Sequence, residues 1–262
     1  MLSAMTSISS QIPRAALVTG AARRLGRAMA LELAAQGFAV AIHHSRSEGE
    51  ARTLADEIAR AGGRAALVRG DLAVEADMQA LLPAAETALG PIGVLVNNAS
   101  AFERDEADTA SRAGWDLHME VNLRAPFVLA QAMAGRLPAG AEGVIVNLLD
   151  QRVWNLTPHF TTYTLSKAGL WTLTRTLALA LAPRVRVAGI GPGPALPSVR
   201  QTQAQFDAQC AATPLARGTS PAEVAAALRF ILATPSFTGQ MLALDGGQHL
   251  QWAPAHGLAA DE

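Results

Sequence analysis

Ala15-Ala16-Leu17-Val18-Thr19-Gly20-Ala21-Ala22-Arg23-Arg24-Leu25-Gly26-Arg27-Ala28 decides the fold. Four residues suited to a buried strand run into a glycine-bearing turn, and an alanine- and leucine-rich segment follows as a helix. A strand, a tight turn and a helix N-terminus make a place for an anion, because unpaired backbone N–H groups point out of the helix start. In an α/β protein that place usually holds a dinucleotide pyrophosphate. The plainer reading of the same stretch is an ordinary strand-to-helix turn.

Outward from this stretch the chain alternates. Apolar segments at 15–19, 38–43, 65–68, 93–97, 143–148, 184–190 and 241–244 predict seven strands. Helical patterns fall at 25–36, 48–61, 75–88, 112–136, 161–182 and from Ser220 to Leu232. Ser220-Pro221-Ala222-Glu223 is a strong helix start, and Pro126 lies where it would bend the long helical region. The strands are continuously apolar, as strands covered on both faces should be. The expected fold is therefore α/β: a single-domain Rossmann fold, a doubly wound, mostly parallel seven-stranded sheet with helices on both faces. The domain spans 14–252, with loose tails at 1–13 and 253–262 and a mobile substrate flap at about 194–219.

Composition sets further bounds. Of the 262 residues 50% are hydrophobic and 16% charged, enough for a large core. A net charge of −1 offers no field for nucleic acid. Cys210 is the only cysteine, too little for a disulfide or a structural zinc site, and the six histidines lack metal-ligand spacing. No apolar run is long enough to span a membrane, and 1–13 lacks the apolar core of a secretory signal. The expectation is a cytoplasmic protein with no metal, nucleic acid or membrane partner and a small-molecule substrate.

Tyr163 and Lys167 are four residues apart in a helical region, so both can face one side. A lysine beside a phenol favours the phenolate, which makes the tyrosine a usable proton donor near neutral pH. A packed tyrosine beside a surface lysine would have the same spacing. After the second strand, Arg46 and Ser47 stand where an acidic residue would take the ribose hydroxyls of NAD. A guanidinium and a hydroxyl suit a 2′-phosphate instead, which predicts NADP(H); a solvated turn is the alternative.

Thr19-Gly20 with Gly26, Asn97-Asn98-Ala99, Asn122, Asp150, Tyr163 and Lys167 resemble the short-chain dehydrogenase/reductase family over about residues 14–248. Two positions depart from the family pattern. The usual serine thirteen residues before the tyrosine is Asp150, and the middle glycine of the turn is Arg24. With His43-His44-Ser45-Arg46-Ser47 and Asn98-Ala99-Ser100-Ala101-Phe102, they resemble the pteridine reductase branch, of which bacterial dihydromonapterin reductases are relatives.

The resemblance implies roles. Asp150, Tyr163, Lys167 and Asn122 form the catalytic set, with Asn122 holding a water or backbone group that links Lys167 to solvent. Gly20, Arg24, Leu25 and Gly26 carry the cofactor phosphates, and His44, Arg46 and Ser47 lie at the adenosine ribose. Asp71 and Leu72 meet the adenine, although such an aspartate also serves as a helix cap. Asn98, Ala99 and Ser100 line the cleft, Tyr163 and Lys167 meet the cofactor ribose, and Pro192 and Gly193 shape the wall beside the nicotinamide.

On the substrate side stand Arg24, Ser100, Phe102, Asp150 and Tyr163, with Phe102 stacking on the ring unless it is a loop anchor. Trp154, Phe160 and Leu196 are candidates for the rim, the core or a subunit contact. The implied reaction is NADPH-dependent reduction of a dihydropterin, with dihydrofolate as a further substrate, by a homotetramer or homodimer packed through the helices around 112–136 and 161–182. A short-chain reductase of a ketone or 3-oxoacyl thioester, and a non-catalytic nucleotide-binding scaffold, are the other readings.

Overall fold

A computed structural model describes residues 7–198 and 200–251. The strands are β1 (Ala15–Val18), β2 (Ala39–His44), β3 (Ala65–Arg69), β4 (Ile92–Asn97), β5 (Gly143–Leu148), β6 (Val185–Pro192) and β7 (Met241–Leu244). The helices are α1 (Arg24–Ala35), α2 (Glu48–Arg60), α3 (Glu75–Leu89), α4 (Arg112–Met119), α5 (Ala125–Arg136), α6 (Thr161–Ala180), α7 (Gln203–Ala211) and α8 (Pro221–Ala233). The strands form one parallel sheet in the order β3-β2-β1-β4-β5-β6-β7.

Successive strand residues point to opposite faces, and both faces are buried. Ala16 and Val18, Val40 and Ile42, Val94 and Val96, and Val144 and Val146 meet α1, α2 and α8 through Met29, Leu33, Leu54, Ile58, Leu228 and Ile231. Their neighbours Leu17, Ala41, Leu95 and Ile145 face α3, α5 and α6 through Leu81, Leu82, Leu129, Met133 and Leu177. Strand order reverses between β1 and β4, and the crevice beyond their C-terminal ends is where ligands bind in such sheets. Thr19 closes that point: its N–H donates to the Val96 carbonyl at 2.9 Å, and its hydroxyl oxygen accepts from the N–H groups of Asn98 and Ala99.

Three expectations change. The helical region at 112–136 is interrupted by a π-turn over Glu120–Arg124, and Pro126 sits in the first turn of α5. Pro126 has no N–H for the Asn122 carbonyl four residues back, so the helix widens there. The 194–219 stretch holds a helix, α7, with a capping box of Thr202 and Gln205. The described part of the expected N-terminal tail is packed: Ile12 is 2% exposed, Ile8 lies against the core, and the Gln11 carbonyl accepts from the Glu142 N–H. The remainder of that tail, Trp252 and the expected 253–262 tail lie outside the described residues.

Candidate active site

The glycine turn is held from below. Gly20 (φ +60°) and Arg24 (φ +53°) both take left-handed backbone. The Asn98 carboxamide donates to the carbonyls of Thr19 and Gly20. A Cβ at Gly26 would stand 2.3 Å from the Gly20 carbonyl oxygen, so only glycine lets α1 begin this close to the turn. Arg23, at the N-cap of α1, makes no side-chain cap bond, which leaves the first N–H groups of the helix for an anion.

His43 ties this turn to the end of β3, a role the sequence did not suggest. Its Nδ1 accepts from the Gly20 N–H at 3.0 Å, and its Nε2 donates to the Gly70 carbonyl at 3.1 Å. Burial lowers its pKa to about 4, so the imidazole is neutral, as these two partners require.

Beyond β2 and β3, Ser45, Arg46, Arg69, Gly70, Asp71 and Asp77 line a hollow of about 440 Å³. Asp71 caps the turn that follows, accepting from the Ala73 N–H, and Asp77 accepts from the Asp71 N–H. Arg69 is an addition to the expected set; its signal was a basic residue at the end of the third strand. Three expected residues do not line this hollow: His44 (4% exposed), Leu72 (5%) and Ser47, the N-cap residue of α2. His44 Nδ1 is buried without a partner, while Leu72 joins the core beneath α3.

The main cleft, about 280 Å³, lies at the ends of β4, β5 and β6. It brings together Arg24, Leu25, Asn98, Ser100, Phe102, Asp150, Tyr163, Lys167, Pro192 and Gly193 from the expected set, with Arg152, Gln201, Gln209 and Gln248 added. Ala99 packs beside Gly20 just outside it. Asp150 follows β5 in extended backbone; its Oδ1 accepts from the Arg152 N–H, and its Oδ2 accepts from the Tyr163 hydroxyl at 2.9 Å. Tyr163 and Lys167 sit one turn apart in α6, both buried.

Lys167 Nζ donates to the Leu148 carbonyl at 2.8 Å and stands 5.8 Å from the Tyr163 ring centre. Burial lowers its pKa to about 8, and the Asp150 charge opposes that shift. Lys167 is the only lysine of the chain and Tyr163 the only tyrosine.

Asn122 lies in the π-turn, but its side chain faces the 100–101 loop. Its oxygen accepts from the Ala101 N–H and the Ser100 hydroxyl, and its nitrogen donates to the Ala101 carbonyl and to Ser166 Oγ. The carboxamide therefore anchors the loop, while Lys167 bonds the end of β5. Phe102 stacks on Phe160 with centroids 4.5 Å apart and meets Tyr163 edge-on at 4.7 Å. Phe160 is fully buried, so one face of Phe102 is already covered. Arg24 turns from the glycine turn towards the 194–219 stretch and donates to the carbonyls of Leu196 (3.2 Å) and Pro197 (2.9 Å).

The model of the short chain dehydrogenase family matches residues 14–208. Among solved structures, the FolM alternative dihydrofolate reductase 1 of Brucella canis, complexed with NADP, is 46% identical; the alignment covers 95% of this chain and 99% of that one, with a TM-score of 0.91. A 3-oxoacyl-[acyl-carrier-protein] reductase of Synechocystis is 31% identical over 93% of this chain and 98% of its own length. A short-chain type dehydrogenase/reductase of Picea abies is 34% identical over 63% of this chain and 64% of its own length.

Proposed function

The chain belongs to the short-chain dehydrogenase family, and from that membership we propose that it is an NADP(H)-dependent reductase of a dihydropterin-type ring. The observation that carries the substrate class is the Asp150–Tyr163 pair. A serine hydroxyl would suit a carbonyl oxygen, whereas a carboxylate accepts paired N–H donors, such as the aminopyrimidine edge of a pterin presents. The likeness to an alternative dihydrofolate reductase supports the same class.

The residues present fit the cofactor. The uncapped start of α1 suits the pyrophosphate. Arg46 and Arg69 line one hollow, and neither makes an ion pair among the described residues, which suits a 2′-phosphate. Pro192 and Gly193 wall the cleft on the nicotinamide side. When bound, NADPH supplies the hydride.

The chain's own residues do the rest. Phe102, stacked on Phe160 and lining the cleft, borders the place of a flat ring, and Asp150 holds the ring's N–H edge. Tyr163 gives its hydroxyl proton to the ring nitrogen as the C=N bond is reduced. Lys167 stabilises the phenolate left behind, and a proton from the cleft restores the phenol. Arg24, at the cleft mouth, closes the flap side.

No helix among the described residues is long and apolar enough to cross a membrane. We place the protein in the cytoplasm as a homodimer or homotetramer; the exposed Trp115, Leu165 and Leu179 on α4 and α6 support a subunit contact there.

The test is NADPH oxidation by the purified protein with dihydrobiopterin, dihydromonapterin, dihydrofolate and an acetoacetyl thioester, with NADH as parallel donor. Rapid turnover of a pterin with NADPH is expected. Turnover of the thioester alone would overturn the substrate class, leave Tyr163 and Lys167 in place, and favour the reading suggested by the 3-oxoacyl reductase relative.

A further inference from the structure

His118, on α4, is fully buried and takes no part in the reaction above. Its Nε2 accepts from the Glu103 N–H at 3.0 Å. A backbone N–H can only donate, so this nitrogen is bare and the ring proton sits on Nδ1. Nδ1 donates to Thr162 Oγ1 at 2.6 Å. The Thr162 hydroxyl in turn donates to Asp105 Oδ2, and Asp105 Oδ1 accepts from the Thr162 N–H at 3.2 Å. Every link is oriented one way, from the imidazole to the carboxylate.

This chain of bonds links the neighbours of the two residues whose rings meet edge-on in the cleft. Glu103 follows Phe102, and Thr162 precedes Tyr163. The Asp105 carbonyl also accepts from the N–H of Phe160, the ring on which Phe102 stacks. The loop from Ser100 to Asp105 is thus held at its near end by Asn122, in its middle by His118 and at its far end by the first turn of α6. The middle of the loop is also held from outside by Arg200, which donates to the Phe102 carbonyl at 3.0 Å and pairs with the Glu103 carboxylate, so removing His118 takes away its one inner hold while both ends and the outer hold stay.

We propose that His118 is a positioning residue: it sets the place of Phe102 against Tyr163 and so sets the affinity for a flat heteroaromatic substrate. The proposal rests on the pterin reading for its substrate, but its geometry does not. A role confined to packing would lower stability and leave the balance of KM and kcat alone. A positioning role weakens substrate binding selectively, because Phe102 meets the ring and not the phosphate turn.

The test compares wild type with His118→Leu, His118→Gln and Thr162→Val. In His118→Leu the KM for dihydrobiopterin should rise about ten-fold, with kcat changed less than about three-fold and the dissociation constant for NADPH less than about two-fold. His118→Gln, whose amide oxygen can accept from the Glu103 N–H, should recover most of the KM. Thr162→Val keeps the imidazole but cuts it from Asp105, and should show the same split in milder form; it carries the test if His118→Leu does not fold.

Amide exchange across 101–106, measured without substrate, should quicken in His118→Leu and slow again in His118→Gln. If wild type turns over no pterin but exchange behaves this way, the substrate reading falls and the positioning role stands. Unchanged exchange, or KM and NADPH affinity lost together, overturns the proposal.

Discussion

Tyr163 donates its phenolic hydrogen to Asp150, 2.9 Å away, while the other oxygen of Asp150 holds the Arg152 N–H. The carboxylate is therefore fixed at both oxygens before any substrate arrives, and the phenol is aimed by it. Asp150→Ser shortens the side chain and removes the charge. Pterin reduction should fall by about 10²-fold or more, the range for losing a positioned acid–base group, while NADPH affinity stays near wild type. Stopped-flow turnover and fluorescence titration of NADPH read the two quantities separately, and equal losses would count against the role.

Lys167 gives a pH dependence of stability. Its folded pKa, about 8, lies below the ordinary 10.5. Between those values the unfolded chain holds one proton more than the folded one, so this group's contribution rises with pH. The cost of burying the ammonium is fully present below pH 8 and disappears towards pH 10.5, a change on the order of 3 kcal/mol. Lys167→Met should flatten the rise in urea-unfolding free energy over that interval; a parallel curve would refute the assignment.

Arg24 holds left-handed backbone that suits glycine, and its guanidinium clasps two carbonyls of the flap. Arg24→Gly relieves the backbone, worth about 1 kcal/mol, and removes the clasp. The variant should unfold at a temperature close to wild type yet be cut faster by protease within 194–198, and it should bind substrate less tightly. Unchanged proteolysis would mean that the clasp does not hold the flap.

Arg46 and Arg69 reach one hollow from neighbouring strand ends. Each alanine variant should weaken 2′,5′-ADP binding by about ten-fold, as loss of a charge-assisted contact does, and leave 5′-AMP binding alone. Calorimetry with the two nucleotides separates a phosphate contact from stacking on adenine, which would weaken both.

How far the sequence revealed the molecule depends on range. Val40, Ile42, Val94 and Val96 sit in short apolar runs, and a run buried on both faces needs no partner to be recognised. Tyr163 and Lys167 share one helix, so their spacing alone put them together. Prolines and glutamines hide the helix α7 in the sequence, although Thr202 and Gln205 spell its cap. The resemblance puts His44 at the ribose, but the direction of its side chain follows from the pleat and from what covers it. His43 and His118 were opaque for another reason. Their partners, Gly20, Gly70, Glu103 and Thr162, lie 15 to 44 residues away in sequence, and only the assembled sheet and the packed helices bring them into range.

That α6 carries the only lysine and the only tyrosine gives the cleft its own built-in reporters. Near-ultraviolet phenolate absorbance of the native chain, followed against pH, titrates Tyr163 and nothing else, with no substitution needed. A lysine-specific protease has one internal bond to cut, in the middle of a helix whose lysine is 2% exposed. The folded chain should resist it, and the single cut should appear only as that helix opens. Bound nucleotide should slow the cut in proportion to its grip on the site, so two bands on a gel would measure the cleft's stability and its occupancy together.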